Sequence, residues 1–314
     1  MIGDVHGHAA RLRSLLHELG YREERDAWRH RSRRAIFVGD LIDRGPEQVE
    51  TLEIVKAMVD AGSADIVLGN HEFNAVAWAT PKGPGHCREH SDKHRRQHAR
   101  FLAEVGEDSP EHHRWIEWFM TIPLWLDLGG LRVVHACWSD RAMSALVGSG
   151  LLGDGNTLTT QLVVDGTTKP PPTRTVIGPE LTPYDAIEWL LKGPEVPLGP
   201  IGYRDKDGNP RYRARYAWWD PDASPLPVGA VVPRGVTWID ADGMELGPSP
   251  AVDVPAPYTD EVPVIFGHYW CDDAFDVLGP RAMCVDFSAG KGGPLAAYRW
   301  DGERELDGRK LVKV

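Results

Sequence analysis

Five short polar motifs, spread along the chain, contain the residues best suited to metal-dependent chemistry. They read GDVHG (3–7), GDLIDRG (39–45), GNHE (69–72), VVHACW (133–138) and IFGHYW (265–270). Each places Asp, Asn or His just after an apolar run, and most include a glycine, which lets the backbone approach a ligand closely. Carboxylate, amide oxygen and imidazole without thiolate form a ligand set for Mn, Fe, Zn, Co or Mg. Together the motifs predict a divalent-metal site.

Predicted strands and helices flank the first three motifs in a regular order. Residues 9–20 carry leucines at helical spacing, residues 35–38 form an apolar run typical of a buried strand, and residues 47–62 again predict a helix. Residues 64–79 repeat the order of strand, loop and helix. Such units predict a parallel sheet with helical crossovers, in which ligand groups gather at the carboxyl ends of the strands. We therefore expect these motifs to meet at one edge of a sheet.

The second half of the chain predicts a single domain that carries a long insert. A hairpin is predicted at residues 124–138, with Gly129-Gly130 as its turn. From about residue 140 to 260, Pro and Gly become frequent and apolar periodicity weakens, with one helix predicted at 182–193 and one hairpin around 205–211. Strand signals return within 262–303. We therefore expect one domain, 1–314, with an inserted elaboration at about 140–260.

The composition indicates a globular protein of a reducing compartment. The chain has 314 residues, 42% of them hydrophobic, which is enough for a large core. The four cysteines form no CxxC motif, which fits reduced thiols better than a disulfide framework. No run of about 18 apolar residues occurs, so no transmembrane span is predicted. Asp4 and His6 interrupt any N-terminal apolar segment, which argues against a signal peptide. We therefore expect a cytoplasmic protein with no membrane partner. The net charge of −11 argues against a general nucleic-acid surface, so an anionic substrate needs local positive charge.

The first motif begins close to the start of the chain. Only Met1 and Ile2 precede Gly3, whereas a buried strand usually has about five residues. We expect the coding sequence to extend upstream and complete this strand.

In order, spacing and identity, the motifs resemble those of the calcineurin-like metallophosphoesterases. The likeness is strongest to the branch of phosphoprotein phosphatases, PrpE-type phosphatases and symmetrical diadenosine tetraphosphatases, over roughly residues 1–80, 115–140 and 262–300. Many metallophosphoesterases have Gly-His-x-His where this chain has GHYW, and Trp270 in the last position favours this branch over the nuclease and purple-acid-phosphatase branches. The resemblance implies an α/β fold, a four-layer sandwich of two mixed β-sheets flanked by helices.

The resemblance also implies a dinuclear metal centre. Its ligands would be Asp4 and His6 at the first ion, Asp40 between the two ions, and Asn70, His135 and His268 at the second. The expected cofactors are two divalent ions, manganese first, with iron, zinc, cobalt or nickel as alternatives.

Three further residues have implied roles in catalysis. His71 would be the general acid near the leaving group, Asp43 would orient it, and Arg44 would clamp phosphate oxygens. An imidazole beside a carboxylate is held in one orientation and kept protonated, and the planar guanidinium suits two phosphate oxygens at once.

The expected function is therefore that of a metal-dependent phosphoric ester hydrolase. A metal-bridging hydroxide would attack a phosphomonoester in line, as in a protein Ser/Thr phosphatase. One alternative is a diadenosine polyphosphate or nucleic-acid-end phosphohydrolase, so the substrate partner stays open among phosphorylated proteins, nucleotides and small molecules. An alternative of another class is a non-catalytic binding module with this fold, but the bridging Asp, the Asn and the acid His are all present.

A second phosphate-binding arginine is common in this branch, and RYRARY (211–216) offers Arg211, Arg213 and Arg215. Arg215 is favoured, and the alternative for all three is a solvated strand face.

A histidine-rich segment, GHCREHSDKHRRQH (85–98), has histidines every four residues. We interpret it as a basic surface or cleft-flanking helix, because no carboxylate or cysteine completes a zinc site. Its arginines and lysine are candidates for positive charge near the phosphate entrance. The glycine-rich AGKGGP (289–294) lacks the spacing of a nucleotide-binding loop and is interpreted as a turn between the last strands.

Overall fold

The structure is a computed structural model that describes residues 1–171, 180–198, 202–204, 210–220, 230–231, 237–239, 257–271 and 279–314. The tip of the predicted hairpin, 205–209, and much of the predicted insert lie outside the described residues. Within the described ranges, no helix has the length and apolar character needed to cross a membrane.

Helices and short strands alternate along the described residues. The α-helices are α1 (Ala9–Glu18), α2 (Gln48–Asp60), α3 (Asn70–Ala79), α4 (Asp92–Val105), α5 (Pro110–Met120), α6 (Asp140–Ser149), α7 (Thr160–Gly166) and α8 (Pro183–Lys192). The strands are β1 (Arg22–Glu24), β2 (Ala27–Arg29), β3 (Ala35–Phe37), β4 (Ala64–Ile66), β5 (Pro81–Lys82), β6 (Gly85–His86), β7 (Trp125–Asp127), β8 (Arg132–Val134), β9 (Glu195–Pro197), β10 (Gly202–Arg204), β11 (Pro210–Arg211), β12 (Arg213–Tyr216), β13 (Ala230–Val231), β14 (Thr237–Ile239), β15 (Val264–Phe266), β16 (Ala282–Cys284), β17 (Ala296–Tyr298) and β18 (Leu311–Lys313).

Two mixed sheets form the centre of the fold. In one, β15 lies between β16 and β8 and is parallel to both, and β7 pairs antiparallel with β8 as the predicted hairpin. In the other, β3 pairs parallel with β4, and β17 pairs antiparallel with β18. Ile2 joins the two halves of this second sheet, because it bridges Phe37 in parallel and Ala297 in antiparallel fashion.

Alternating side chains on the strands define the layers. Ile36 and Val38 of the second sheet pack against Val133 and Ile265 of the first in a core that lies between the sheets. Phe37 belongs instead to the larger core that includes the helices. Since successive strand residues point to opposite faces, each sheet has one face toward the other sheet and one toward helices. The predicted four-layer α/β sandwich is confirmed.

The region after residue 140 is more helical than the sequence predicted. The predicted helix at 182–193 is α8, whose Thr182 and Asp185 form a capping box. The prediction of a single helix was wrong, because α6 and α7 precede it and pack against it. In α6 the buried face is short, and Gly148 lies near its end, so the helical period is weak in the sequence.

Candidate active site

The polar motifs place their side chains by unusual backbone conformations at the strand ends. Six of the residues singled out from the sequence have positive φ angles, namely His6, Asp40, Asp43, Arg44, His268 and Trp270. Non-glycine residues adopt this region at a cost of roughly 1–3 kcal/mol each, and they do so where the surrounding structure holds them. The loops of the motifs are therefore held by contacts from elsewhere in the fold.

Glu72, at the start of α3, holds two of these loops together. Its buried carboxylate accepts hydrogen bonds from the backbone N–H groups of Gly69 (3.1 Å), Asp40 (2.9 Å) and Leu41 (2.8 Å). A Cβ at Gly69 would overlap the Asp40 backbone nitrogen. The glutamate of GNHE, to which the sequence analysis gave no role, therefore fixes the position of the Asp40 loop.

Two of the predicted histidine ligands are oriented by backbone carbonyls. The Nδ1 atom of His6 donates to the carbonyl oxygen of Ile42 (2.9 Å), and that of His135 donates to the carbonyl oxygen of Val38 (2.7 Å). This tautomer leaves a lone pair on each Nε2, which is the usual arrangement for a metal-ligating histidine.

Asp40 lies between two groups of potential ligand atoms. Its Oδ2 is 3.7 Å from His6 Nε2 and 3.9 Å from His71 Nε2, and its Oδ1 is 3.4 Å from His135 Nε2. His6, Asp40 and His71 form one group and Asp40, His135 and His268 the other, with the ligand atoms of each group within 4.8 Å of one another. The carboxylate of Asp40 is thus common to both groups.

Asn70 and Asp4 complete the surroundings of these groups. Asn70 Oδ1 lies 3.2 Å from His135 Nε2, and Asp4 Oδ2 accepts the backbone N–H of His268 at 3.1 Å. The structure thus brings all six predicted metal ligands to one buried region.

Several buried atoms of this region lack the partners that burial requires. Within the described residues, Asp4 Oδ1, His6 Nε2 and His268 Nε2 have no hydrogen-bond partner. Burial, with the nearby Asp286 and Asp40 carboxylates, raises the pKa of Asp4 well above its usual range. Burial also lowers the pKa of His268 well below its ordinary value, so that its ring is neutral. Unpartnered acceptors and close carboxylates are costly in a protein interior, and divalent cations would satisfy both. The residues therefore fit a metal centre.

His71 and Asp43 form the expected pair, and a third residue joins them. His71 Nδ1 lies 2.6 Å from Asp43 Oδ2, and His98 Nδ1 lies 3.0 Å from Asp43 Oδ1. Burial opposes ionisation of Asp43, but the hydrogen bonds from both rings hold its pKa well below the usual range. Burial also opposes protonation of His71, but Asp40 and Asp43 raise its pKa above the ordinary value.

The position of His98 corrects the interpretation of the histidine-rich segment. The helix begins only at Asp92, so His86 and His90 lie outside it. This helix, α4, flanks the cleft as expected, but His98 is only 4% exposed and is not a surface residue. Its contact with Asp43 joins positions 55 residues apart in the chain, and no local pattern in the sequence indicates it.

Arg44 is held beside Trp270 at the mouth of the site. Its guanidinium carbon lies 5.3 Å from the centre of the Trp270 ring, and Lys291 Nζ lies 3.2 Å from the same centre. A Cβ at Gly290 would lie 2.5 Å from Arg44 Cδ and 2.6 Å from His6 Cδ2. The glycine-rich turn after β16 thus leaves room for both side chains.

Asp286, which the sequence analysis did not single out, connects this turn to Trp270. Its buried carboxylate accepts the backbone N–H groups of Trp270 (3.0 Å) and Ser288 (2.8 Å). Burial raises the pKa of Asp286 to about 6.

A cavity of about 630 Å³ opens onto these residues and is rich in positive charge. Its cationic lining residues are Arg44, Arg88, Arg96, Arg100, Lys192 and Arg215. This local charge contrasts with the net charge of −11 of the chain. An anionic substrate would therefore find its positive charge here.

The three candidate arginines of β11 and β12 have different surroundings. Arg215 lines the cavity, and its Nε is buried without a hydrogen-bond partner among the described residues. Arg213 is exposed and pairs with Glu195, whose backbone oxygen it contacts at 2.9 Å. Arg211 is exposed and is not part of the cavity lining.

Curated relatives of the chain include two bis(5'-nucleosyl)-tetraphosphatases. The symmetrical enzyme of Methylococcus capsulatus is 26% identical over 312 residues, which cover 97% of this chain and 92% of the relative. The asymmetrical enzyme PrpE of Oceanobacillus iheyensis is 30% identical over 137 residues, or 43% of this chain, so the chain spans about half (54%) of that relative. Among solved structures, one described as a putative diadenosine tetraphosphatase covers 100% of this chain and 90% of its own, at 16% identity and a TM-score of 0.42.

The family model described as calcineurin-like phosphoesterase matches residues 1–149. This range contains the motifs of Asp4, Asp40, His71 and His135, which the structure brings together. The resemblance stated from the sequence is thereby confirmed for this part of the chain. Residues 1–149 of the chain thus match the calcineurin-like phosphoesterase family.

Proposed function

We propose that this protein is a dinuclear metal-dependent phosphoesterase. The observation that carries the proposal is the position of Asp40, whose two oxygens face different groups of histidines, with the His71–Asp43 pair alongside. Such an arrangement suits one carboxylate that serves two cations, next to a proton donor.

Six residues would hold the metal ions, because their ligand atoms lie close together in one buried region. They are Asp4 and His6 on one side, Asp40 between, and Asn70, His135 and His268 on the other. When bound, two divalent cations supply Lewis-acid charge for a phosphoryl group and acidify a water that can attack phosphorus. Manganese is the first choice, with iron, zinc, cobalt or nickel as alternatives for this nitrogen and oxygen donor set.

His71 would protonate the leaving oxygen. Asp43 receives its Nδ1–H, which leaves the protonated Nε2 directed toward the space beside Asp40 Oδ2. The raised pKa of His71 favours the protonated ring near neutral pH.

Arg44 and Arg215 would bind the phosphate oxygens. Both line the cavity. Guanidinium groups form charge-assisted pairs with phosphate oxygens, so these residues would hold the phosphoryl group against the metal centre.

The substrate would in general be a phosphomonoester. The positive lining of the cavity favours a second candidate, a substrate with several phosphates. Arg88, Arg96 and Arg100 extend the positive lining of the cavity beyond Arg44 and Arg215, which suits a substrate with several phosphates. The relatives named bis(5'-nucleosyl)-tetraphosphatases support a dinucleoside polyphosphate, of which diadenosine tetraphosphate is one example.

A substrate panel tests the proposal. Protein loaded with Mn²⁺ would be assayed with p-nitrophenyl phosphate, a phosphoserine peptide, diadenosine tetraphosphate and a 5'-phosphorylated oligonucleotide. We expect turnover of at least one, lost in Asp40→Asn. The substrate with the highest kcat/KM decides whether the protein acts on phosphomonoesters or on diadenosine polyphosphates. If the pure, metal-loaded protein turns over none of them, the non-catalytic binding module becomes the better account.

A further inference from the structure

Asp43 is bound by two imidazole rings from different parts of the chain. His71 occupies one carboxylate oxygen at 2.6 Å and His98 the other at 3.0 Å. A carboxylate only accepts hydrogen bonds, so both rings must present Nδ1–H to it. The proposed function uses only the contact with His71 and leaves the other oxygen of Asp43 without an explanation.

Helix α4, which carries His98, is fastened to the loop that carries Asp43. The carboxylate of Glu104, also in α4, accepts the backbone N–H groups of Gln48 (2.9 Å) and Val49 (3.0 Å). Gln48 Oε1 in turn accepts the backbone N–H of Asp43 at 2.6 Å. The distance between the His98 backbone and Asp43 is therefore set by neighbouring contacts along the same helix.

The rest of the His98 ring lies beside aromatic side chains. Its centroid lies 5.1 Å from that of Phe101 and 6.0 Å from that of Trp78. Its Nε2 is buried and has no hydrogen-bond partner in the part of the chain that the structure describes. Burial of a polar ring with one nitrogen unpaired is unfavourable. The contact with Asp43 must therefore offset this cost or have a role in catalysis.

We propose that His98 is a positioning residue for the general acid. Its Nδ1–H holds one oxygen of Asp43, so that the carboxylate cannot rotate and the other oxygen stays on His71 Nδ1. The terminal torsion of an aspartate is broad, and a carboxylate with a single partner can turn away from it. Two donors on opposite oxygens restrict that rotation and keep His71 directed at the leaving oxygen.

This inference rests on the proposed function, and it predicts a dependence on the leaving group. An ester with a poor leaving group, such as phenyl phosphate, needs the proton from His71. An ester with a good one, such as p-nitrophenyl phosphate, needs it much less. Loss of the His98 contact should therefore slow the first reaction more than the second, whereas a general loss of structure would slow both alike.

Two polar variants separate the contact from the packing. In His98→Asn the amide nitrogen takes the place of Nδ1 and can still reach Asp43. In His98→Gln it takes the place of Nε2 and cannot. With Mn²⁺-loaded protein, we expect His98→Gln to lower kcat for phenyl phosphate about tenfold or more and kcat for p-nitrophenyl phosphate less than about threefold, with little change in KM. His98→Asn should recover most of the loss, and His94→Gln in the same helix should match the parent.

A second readout follows the His71 ring directly. In Zn²⁺-loaded protein, the Nδ1–H proton of His71 should give a slowly exchanging, low-field NMR signal that weakens in His98→Gln and persists in His98→Asn. Equal losses on both esters, or parent-like rates and an unchanged signal in His98→Gln, would overturn the inference alone. A parent that hydrolyses neither ester would overturn the proposed function, and the inference with it.

Discussion

At the scale of single residues, contacts within the protein fix the orientation of the side chains in the site. His6 and His135 give their Nδ1–H to backbone carbonyls, and the two oxygens of Asp40 face different histidines. The proposed ligand atoms are therefore already oriented in the protein, which would lower the entropic cost of binding a metal ion.

Replacing Asp40 by Asn should reduce the metal content of the protein. An amide has one oxygen and no charge, so it could not bind two cations as we propose for the carboxylate. After loading with Mn²⁺ and removal of free metal, we expect two ions per chain in the parent and one or none in Asp40→Asn, measured by elemental analysis. Equal metal content would argue against the bridging role.

Arg215 and Arg213 allow a matched comparison of two arginines on one strand. Arg215 lines the cavity and Arg213 pairs with Glu195 at the surface. A charge-assisted hydrogen bond contributes about 1.5–3 kcal/mol, so Arg215→Ala should lower kcat/KM for phosphate esters about 10- to 100-fold. Arg213→Ala should remain within about twofold of the parent. The reverse order would mean that the cavity arginine is not the one that binds phosphate.

At the scale of elements, helices α3 and α4 hold the loop after β3 in its strained conformation. Glu72 of α3 binds the backbone of Asp40 and Leu41, and Glu104 of α4 binds the start of α2. Each helix therefore supports the site through a carboxylate that accepts backbone N–H groups, that of the buried Glu72 and that of the exposed Glu104.

Glu72→Ala should strongly destabilise the protein. The change leaves the N–H groups of Gly69, Asp40 and Leu41 buried without their acceptor, at about 1–3 kcal/mol for each unsatisfied group. We expect the free energy of unfolding in urea to fall by about 3 kcal/mol or more. The control is Glu50→Ala, which removes an exposed pair with Arg13 and should change stability by less than about 1 kcal/mol. A small effect at Glu72 would show that the loop is held by other contacts.

Local patterns predict the elements better than they predict the partners from distant segments. Strand, loop and helix around GDLIDRG and GNHE follow from apolar periodicity, so the motif loops could be placed at strand ends. His98 and Asp286 could not be assigned, because their contacts with Asp43 and Trp270 arise only when separate segments pack together. Helix α6 was not predicted, because its buried face is short and Gly148 weakens the helical periodicity of the apolar residues.

At the scale of the whole molecule, the fold brings cationic side chains from separate segments to one cavity. The chain is acidic overall, yet the cavity over the site is lined with arginines together with the buried carboxylate of Asp40. The carboxylate of Asp4 is buried close to that of Asp40. Metal ions would neutralise these carboxylates, so folding and metal binding should be coupled.

Metal removal should therefore lower the thermal stability of the protein. A ligand at 100 times its Kd stabilises the folded state by about 2.7 kcal/mol, which is about 4 °C in Tm for a chain of this size. We expect Mn²⁺ to raise Tm by that amount over protein treated with a chelator, as followed by calorimetry. Asp40→Asn should show a smaller rise, and an equal Tm with and without metal would contradict the coupling.

The most direct test of a two-metal phosphoesterase is a titration of activity with metal. Metal-free protein would receive increasing equivalents of Mn²⁺, and the rate of p-nitrophenyl phosphate hydrolysis would be measured at each step. The arrangement around Asp40 predicts a rate that rises until two ions per chain have bound, with no comparable rise in Asp40→Asn. Full activity at one equivalent, activity without metal, or an Asp40→Asn variant as active as the parent would contradict it.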